Sequence, residues 1–366
     1  MAEIIKIVLT GGPCAGKSTA LRFLKNKLEE LGISVLILEE TATKLLSQGK
    51  TPEKIGNYEF HKLLFQTQLN AEKELEAIAE KNTNKTIIIC DRGLLDSRAY
   101  VSEDEFNRYS ALYNLNEDLI RSSYDAVFHL MSAANGAKEY YTLKNNTVRS
   151  ESIEKAKALD NDILALWVGT PHLRIIDNYD NFQNKLNELL NEVCGFIGTP
   201  EPLEIERKFL IEYPDLTLLN NMKLSRKTPI TQAYLSTPNE GNFRVRKRGI
   251  GENAVYIKTI KIKINDLKRI EKESYITEAE YNKYLSDKEN IVGIISKDRY
   301  CIIENNTYYE LDIYPFWGDK ATLEIELLSE NQNYTLPSFV KLIREVSEDP
   351  EYRNFVLAQK YNFMQK

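Results

Sequence analysis

Cysteine and histidine are scarce in this 366-residue chain, which has four of the first and three of the second. Cys14, Cys90, Cys194 and Cys301 stand far apart and form no CxxC pair, which argues against both a zinc ribbon and a disulfide framework. His61, His129 and His172 show no metal-ligand spacing, so a histidine metal site is not expected. Long apolar runs are lacking too: none approaches the roughly 20 residues needed to cross a bilayer. The opening Met1-Ala2-Glu3-Ile4-Ile5-Lys6 runs straight into an apolar strand and leaves no room for a signal peptide. A soluble cytoplasmic protein is expected, with peripheral contact to anionic lipid left open. A large excess of one charge is also missing. The net charge is −6 with both signs mixed, so any polyanion site must be local and no sequence-specific nucleic-acid binding is expected.

What is present begins with length. The chain exceeds what one hydrophobic core usually organises, so two domains are expected. Apolar runs at 4–10, 35–38, 86–90, 126–130 and 173–176 alternate with helical patterns at 17–31, 53–80, 152–168 and 181–193. Buried strands alternating with helices imply a parallel sheet covered on both faces. Two Gly and two Pro within Cys194–Pro202 mark a linker, giving domains at 1–198 and 199–366. Beyond it, charged period-two strands are expected at 203–211, 230–236, 242–248, 253–263, 269–277, 294–303, 307–314 and 321–328. A helix from about Pro337 closes an α+β, antiparallel second half.

The run Gly11-Gly12-Pro13-Cys14-Ala15-Gly16-Lys17-Ser18-Thr19 fits GxxxxGK[ST] between a strand and a helix. Backbone N–H groups at a helix start can cradle phosphate, Lys17 neutralises it, and Ser18 can ligate Mg²⁺. Asp91, at the end of Ile87–Cys90, stands where a carboxylate would orient that Mg²⁺; a plain helix cap is the bland alternative. Arg92 suits a transferred or acceptor phosphate, or a surface ion pair. Glu40 follows the second strand, at the sheet edge where doubly wound folds bind ligands; it suits an acceptor hydroxyl, a ribose, or no more than a helix start. Residues 131–152 are polar and irregular and contain Arg149, which suits either a closing lid or an ordinary loop. Trp167 reads as a helix-end aromatic packed into the core, and His172 as part of a helix-to-strand turn.

These stretches, with Glu40–Thr43, Asp91-Arg92-Gly93, Val148–Glu151, Leu159-Asp160, Trp167 and Pro171–Asn178, resemble the nucleotide-kinase-like P-loop proteins that include ribosylnicotinamide kinases. The resemblance implies a nucleoside-kinase-like fold that binds ATP or GTP, with Arg149 as a candidate lid arginine. No Asn-Lys-x-Asp element supports guanine recognition, and the base stays open.

In the second half, like charges recur two apart along strand after strand: Glu204 and Glu206 with Lys208, Arg244 and Arg246, Glu271 and Glu273, Lys297 and Arg299, Glu310 and Asp312, Glu324 and Glu326. Residues two apart share a face, and like charges on one face need compensation. A closed barrel with a charged lumen supplies it, its carboxylates holding Mg²⁺ or Mn²⁺ and its basic residues gripping phosphoryl oxygens. Lys258 and Lys261 have opposite parity, and Lys258 is favoured for the lumen. The dense basic run Lys258–Lys272 also suits a solvated face or an anionic-lipid patch.

These motifs, with Gln232–Leu235 and Tyr256-Ile257-Lys258, resemble the CYTH or triphosphate tunnel metalloenzyme family across 203–366. The resemblance implies an eight-stranded antiparallel tunnel that binds a triphosphate, which metal-activated water would cleave. The two halves in this order resemble the photoreceptor translocation-defect fusion family, which implies nucleotide binding beside a second phosphate-ligand tunnel, and a regulatory or trafficking role. Three readings follow: a phosphohydrolase or phosphotransferase with both sites active; a nucleotide-switched module that captures a phosphorylated ligand such as a phosphoinositide headgroup without cleaving it; and a nucleoside or nucleotide kinase whose second half traps its substrate or hydrolyses its product.

Overall fold

A computed structural model describes residues 3–135, 152–179, 181–198, 203–237, 241–263, 268–327 and 332–361, apart from the side chains at 203, 204, 241, 242, 252, 261–263 and 268–272. The chain divides into two compact units, Met1–Glu192 and Val193–Lys366.

The first unit is built on strands β1 (Ile4–Thr10), β2 (Ser34–Leu38), β3 (Thr86–Asp91), β4 (Ala126–Leu130) and β5 (Leu173–Ile176). They form one parallel sheet in the order β2-β3-β1-β4-β5. Every residue of β3 and β4 is buried, as expected for strands covered on both faces. The helix Lys17–Glu30 buries Ala20, Leu21, Leu24 and Leu28, a stripe at helical spacing. The expected helix 53–80 is two helices, Pro52–Ile55 and Asn57–Ala79, because Gly56 adopts φ 85 between them. Residues Phe182–Ile197 form a single helix, so the segment read as a linker from Cys194 is helical through Ile197.

The second unit contains β6 (Leu203–Glu212), β7 (Ser225–Thr237), β8 (Gly241–Arg248), β9 (Val255–Lys263), β10 (Lys268–Ile276), β11 (Ile291–Glu304), β12 (Thr307–Ile313), β13 (Lys320–Leu327) and β14 (Leu342–Glu345). The sheet runs β10-β9-β8-β7-β11-β12-β13-β6-β14, and β10 also pairs with β6. That pairing closes eight strands into a barrel, which abolishes most sheet edges. β6 gives one edge to β13 along its length. It divides the other between β10, at Leu203–Ile205, and β14, at Phe209–Ile211.

β14 corrects the expected helix from Pro337: among the described residues, helix after Pro337 begins only with a short 3-10 turn at Pro350–Tyr352 and the α-helix Asn354–Lys360. Leu336, Phe339, Val340 and Ile343 have helical spacing, but the open edge of β6 takes the backbone hydrogen bonds of Leu342–Glu345. Apolar residues facing away from the lumen form two cores, around Phe209, Leu311, Leu323 and Ile325, and around Phe243, Val245, Tyr256 and Tyr281. At one end, Leu357 and Ala358 of the last helix pack with Leu210, Ile295 and Tyr314, which share strand parity with Lys208, Lys297 and Asp312.

Candidate phosphate sites

β1 delivers Gly11 at the carboxyl edge of the first sheet, between β3 and β4, and the loop Gly11–Gly16 turns directly into the helix that starts at Lys17. Cys14 and Gly16 take left-handed φ values of 57 and 87 that wrap the loop. Lys17 is buried, and its Nζ donates to the carbonyls of Gly11 at 2.9 Å and Gly12 at 3.2 Å. Burial, with Arg92 nearby, lowers its pKa to about 8. Ser18 and Thr19 are exposed at the helix start.

Asp91 ends β3 almost fully buried, and its Oδ1 has no hydrogen-bond partner. Burial raises its pKa to about 6. An orphaned carboxylate oxygen at the end of β3, near Lys17, and a serine hydroxyl exposed at the start of the helix after the loop are oxygen donors of the kind that fits Mg²⁺, a hard cation that keeps several waters.

Arg92 follows with φ 73, a costly conformation for a side-chain-bearing residue, held by Gln68 Nε2 donating to its carbonyl at 2.9 Å. Gln68 also donates to Glu72 at 3.1 Å, and the buried Glu72 accepts from Tyr124 Oη at 2.8 Å and Lys6 Nζ at 3.3 Å. Gly93 cannot carry a side chain, because a Cβ there would stand 2.5 Å from the Trp167 ring. Trp167 is buried, and its Nε1 donates to Asp96 at 2.8 Å. Arg92 Nε donates to Glu40 Oε1 at 2.8 Å and its Nη1 to the Gly11 carbonyl at 3.4 Å, so Glu40 and the Gly-rich loop meet at one guanidinium. Burial pushes the Glu40 carboxyl up, but Arg92 and the Thr43 hydroxyl hold it down at about 2. Arg149 lies outside the described residues. The Gly-rich motif singles out Lys17, and an apolar strand ending in a carboxylate singles out Asp91 and, after it, Arg92. The buried carboxylates Asp96, Glu72 and Asp160 were assigned no role from sequence, because a helical or loop carboxylate has no local mark of burial.

In the barrel, register brings the charged pairs onto one face. Glu310 lies opposite Glu324, Glu324 opposite Lys208, Glu206 opposite Glu326, and Arg299 opposite Asp312. Arg299 compensates the like charges: its Nε and Nη2 each reach Asp312 at 2.7 Å, Nη2 reaches Glu324 at 2.9 Å, and Nη1 contacts Glu310. Lys208 Nζ pairs with Glu324 at 2.7 Å, and Lys297 with Asp312. Burial opposes charge at Asp312 and Glu324, yet the surrounding cations keep both carboxyls below the usual range. Lys297 moves the other way: burial, then repulsion from Arg299, lowers its pKa to about 7.

On the far wall Arg244 Nη2 approaches Glu273 Oε1 at 3.4 Å, Thr259 Oγ1 donates to the same oxygen at 2.7 Å, and Arg246 lies opposite Gln232. Glu204 and Glu271 enter only through backbone register, opposite Arg269 and Lys261. Lys258 is a correction. It lies opposite Val245, donates to Tyr284 Oη at 3.1 Å and sits 4.6 Å over the Phe243 ring, on the face away from Arg244. Parity puts Thr259, opposite Arg244, on the lumen side instead. Most of the basic run 258–272 falls outside the described side chains. Among the described residues no group of three His, Cys, Asp or Glu side chains forms a metal cluster, and no helix is long and apolar enough to cross a membrane.

Comparison with known proteins agrees with this division. Residues 6–185 match the family model of an AAA domain and residues 202–348 that of a CYTH domain. The search of curated proteins finds no match. Among solved structures, the hypothetical protein NE1496 is 28% identical, with 43% of this chain and 97% of that one covered at a TM-score of 0.30. A structure of the inorganic triphosphatase NE1496 is 27% identical, covering 43% and 94% at 0.29. A putative adenylyl cyclase, HpAC1 from Hippeastrum, described as having a dominant triphosphatase activity, is 15% identical, covering 34% and 79% at 0.28. The chain thus carries an AAA-type nucleotide-binding domain followed by a CYTH domain.

Proposed function

We propose that the protein is an Mg²⁺- or Mn²⁺-dependent phosphohydrolase or phosphotransferase with two phosphate sites, one for ATP or GTP and one for a triphosphate. The observation that carries the reading is the barrel interior, where Arg299, Lys297 and Lys208 share one face with Glu310, Asp312 and Glu324. Such a lumen suits a linear polyphosphate: Arg244, Arg246, Lys208, Lys297 and Arg299 offset its charge while the carboxylates hold cations.

In the first unit, Lys17 swings from the Gly11 and Gly12 carbonyls to nucleotide phosphate, and Ser18 and Asp91 hold the cation. Arg92 and Glu40 face the acceptor, where Glu40 stays ionised at neutral pH. Kinase activity toward a nucleoside or nucleotide hydroxyl belongs to this reading, with Arg149 as lid arginine. In the barrel, Glu204, Glu206, Glu271, Glu273, Glu310, Asp312, Glu324 and Glu326 are the candidate metal ligands. Bound metal there would polarise phosphoryl oxygens and lower the pKa of water.

One observation favours a second reading, capture of a phosphorylated ligand without cleavage: Arg299, Lys297 and Lys208 already engage Asp312, Glu310 and Glu324. Phosphate release from tripolyphosphate with Mg²⁺, compared between the intact protein and Glu204→Ala/Glu206→Ala, separates the two. Hydrolysis lost in the double variant supports the enzyme. Binding of tripolyphosphate without any release selects capture.

A further inference from the structure

Asp160, within the helix Ile153–Trp167, is fully buried. Its Oδ1 accepts the Gly12 N–H at 2.7 Å and lies 3.0 Å from His129 Nε2. Its Oδ2 accepts the Ser132 N–H at 2.9 Å and Asn135 Nδ2 at 2.7 Å. The same short segment after β4 touches the next two residues of the loop: Ser132 Oγ donates to the Pro13 carbonyl, and the Ala133 N–H donates to the Cys14 carbonyl at 3.3 Å. Gly12 is pressed so closely to the helix that a Cβ would stand 2.8 Å from that of Asp160. Three consecutive loop residues, Gly12 to Cys14, are therefore tied to one carboxylate and the turn it organises. This occurs where Cys14 adopts a left-handed φ of 57.

A phosphate cradle needs its N–H groups to converge on the ligand, and free rotation of its first peptides would scatter them. The Gly12 N–H is spent on Asp160, which fixes the entry of the loop. The negative charge itself works against a polyphosphate a few residues away, so charge and geometry make opposite demands at this position.

We infer that Asp160 is a positioning residue of the nucleotide site: it sets the phosphate loop in its binding shape through Gly12 and through Ser132, and its geometric contribution outweighs its charge. This inference rests on the nucleotide reading of the loop given above.

The test measures Mg-ATP and Mg-GTP dissociation constants on the full chain, taking the component abolished by Lys17→Ala as the loop site. Asp160→Asn keeps the shape but turns an NH₂ toward N–H donors. It is expected to weaken that component about tenfold, the effect of losing charge-assisted hydrogen bonds. Arg121→Met removes another buried charge, one that bonds Leu166 O, Glu117 and Asp118. It serves as the control for loss of a buried charge and should leave affinity within about twofold, the spread expected of a site it does not touch. Tighter or unchanged binding in Asp160→Asn overturns the inference, as does equal weakening in the control. If Asp160→Asn does not fold, Ser132→Ala is read instead: weakened binding with normal melting supports positioning, and unchanged binding overturns it. If the wild-type chain shows no Lys17-dependent binding of either nucleotide, the nucleotide reading falls and this inference with it.

Discussion

Arg299 joins Asp312, Glu310 and Glu324, so its removal leaves two buried carboxylates and the half-buried Glu310 short of a partner. Breaking a buried ion network of this kind costs about 3–5 kcal/mol. Arg299→Met should lower stability by that order in urea titration and abolish tripolyphosphate turnover, while Lys258→Met, on the aromatic face, should keep turnover within about twofold. Equal loss in both variants would contradict the assignment of faces. Asp160 supplies a pH test. Burial raises its pKa, but His129 and the surrounding N–H donors bring it from 3.8 to about 2. A carboxylate depressed on folding contributes stability that is present above its unfolded pKa and is lost as pH falls through the folded one. About 2 kcal/mol should therefore disappear between roughly pH 4 and pH 2, and Asp160→Asn should flatten the curve there. A wild-type curve parallel to that of the variant in this window would refute the depressed pKa.

At the scale of elements, the strands of the first sheet and of the eight-stranded barrel were legible because two signals are local. Continuous apolar runs marked β1, β3, β4 and β5, and charged alternation marked the barrel strands. Lys17 was read from a motif whose spacing carries its chemistry, and Asp91 and Arg92 from the end of a continuous apolar strand. What was not legible depended on tertiary pairing. β14 has helical apolar spacing and became a strand because β6 had an edge to offer. Lys258 was misplaced by parity alone: choosing between it and Lys261 needs the register of β9 on β8, which no single strand records. Gly293, beside the irregularity in β11, shows the same dependence. A Cβ there would stand 2.7 Å from the backbone of Ala358 in the last helix. Gly293→Ala should destabilise the second unit by about 1–3 kcal/mol through overpacking, read as a lowered urea midpoint. An unchanged midpoint would mean that the helix Asn354–Lys360 does not pack against β11.

At the scale of the whole molecule, each unit has its own sheet and its own buried core, as expected of domains able to fold separately. The central claim is that two phosphate sites work in one chain on different substrates. Its most direct test is phosphate release from tripolyphosphate, ATP and GTP with Mg²⁺ or Mn²⁺, by the intact protein, Lys17→Ala and Glu204→Ala/Glu206→Ala. The account predicts that tripolyphosphate cleavage disappears only in the double carboxylate variant, and that nucleotide turnover falls with Lys17. Tripolyphosphate cleavage that survives loss of both glutamates, or that is lost with Lys17 alone, would contradict it.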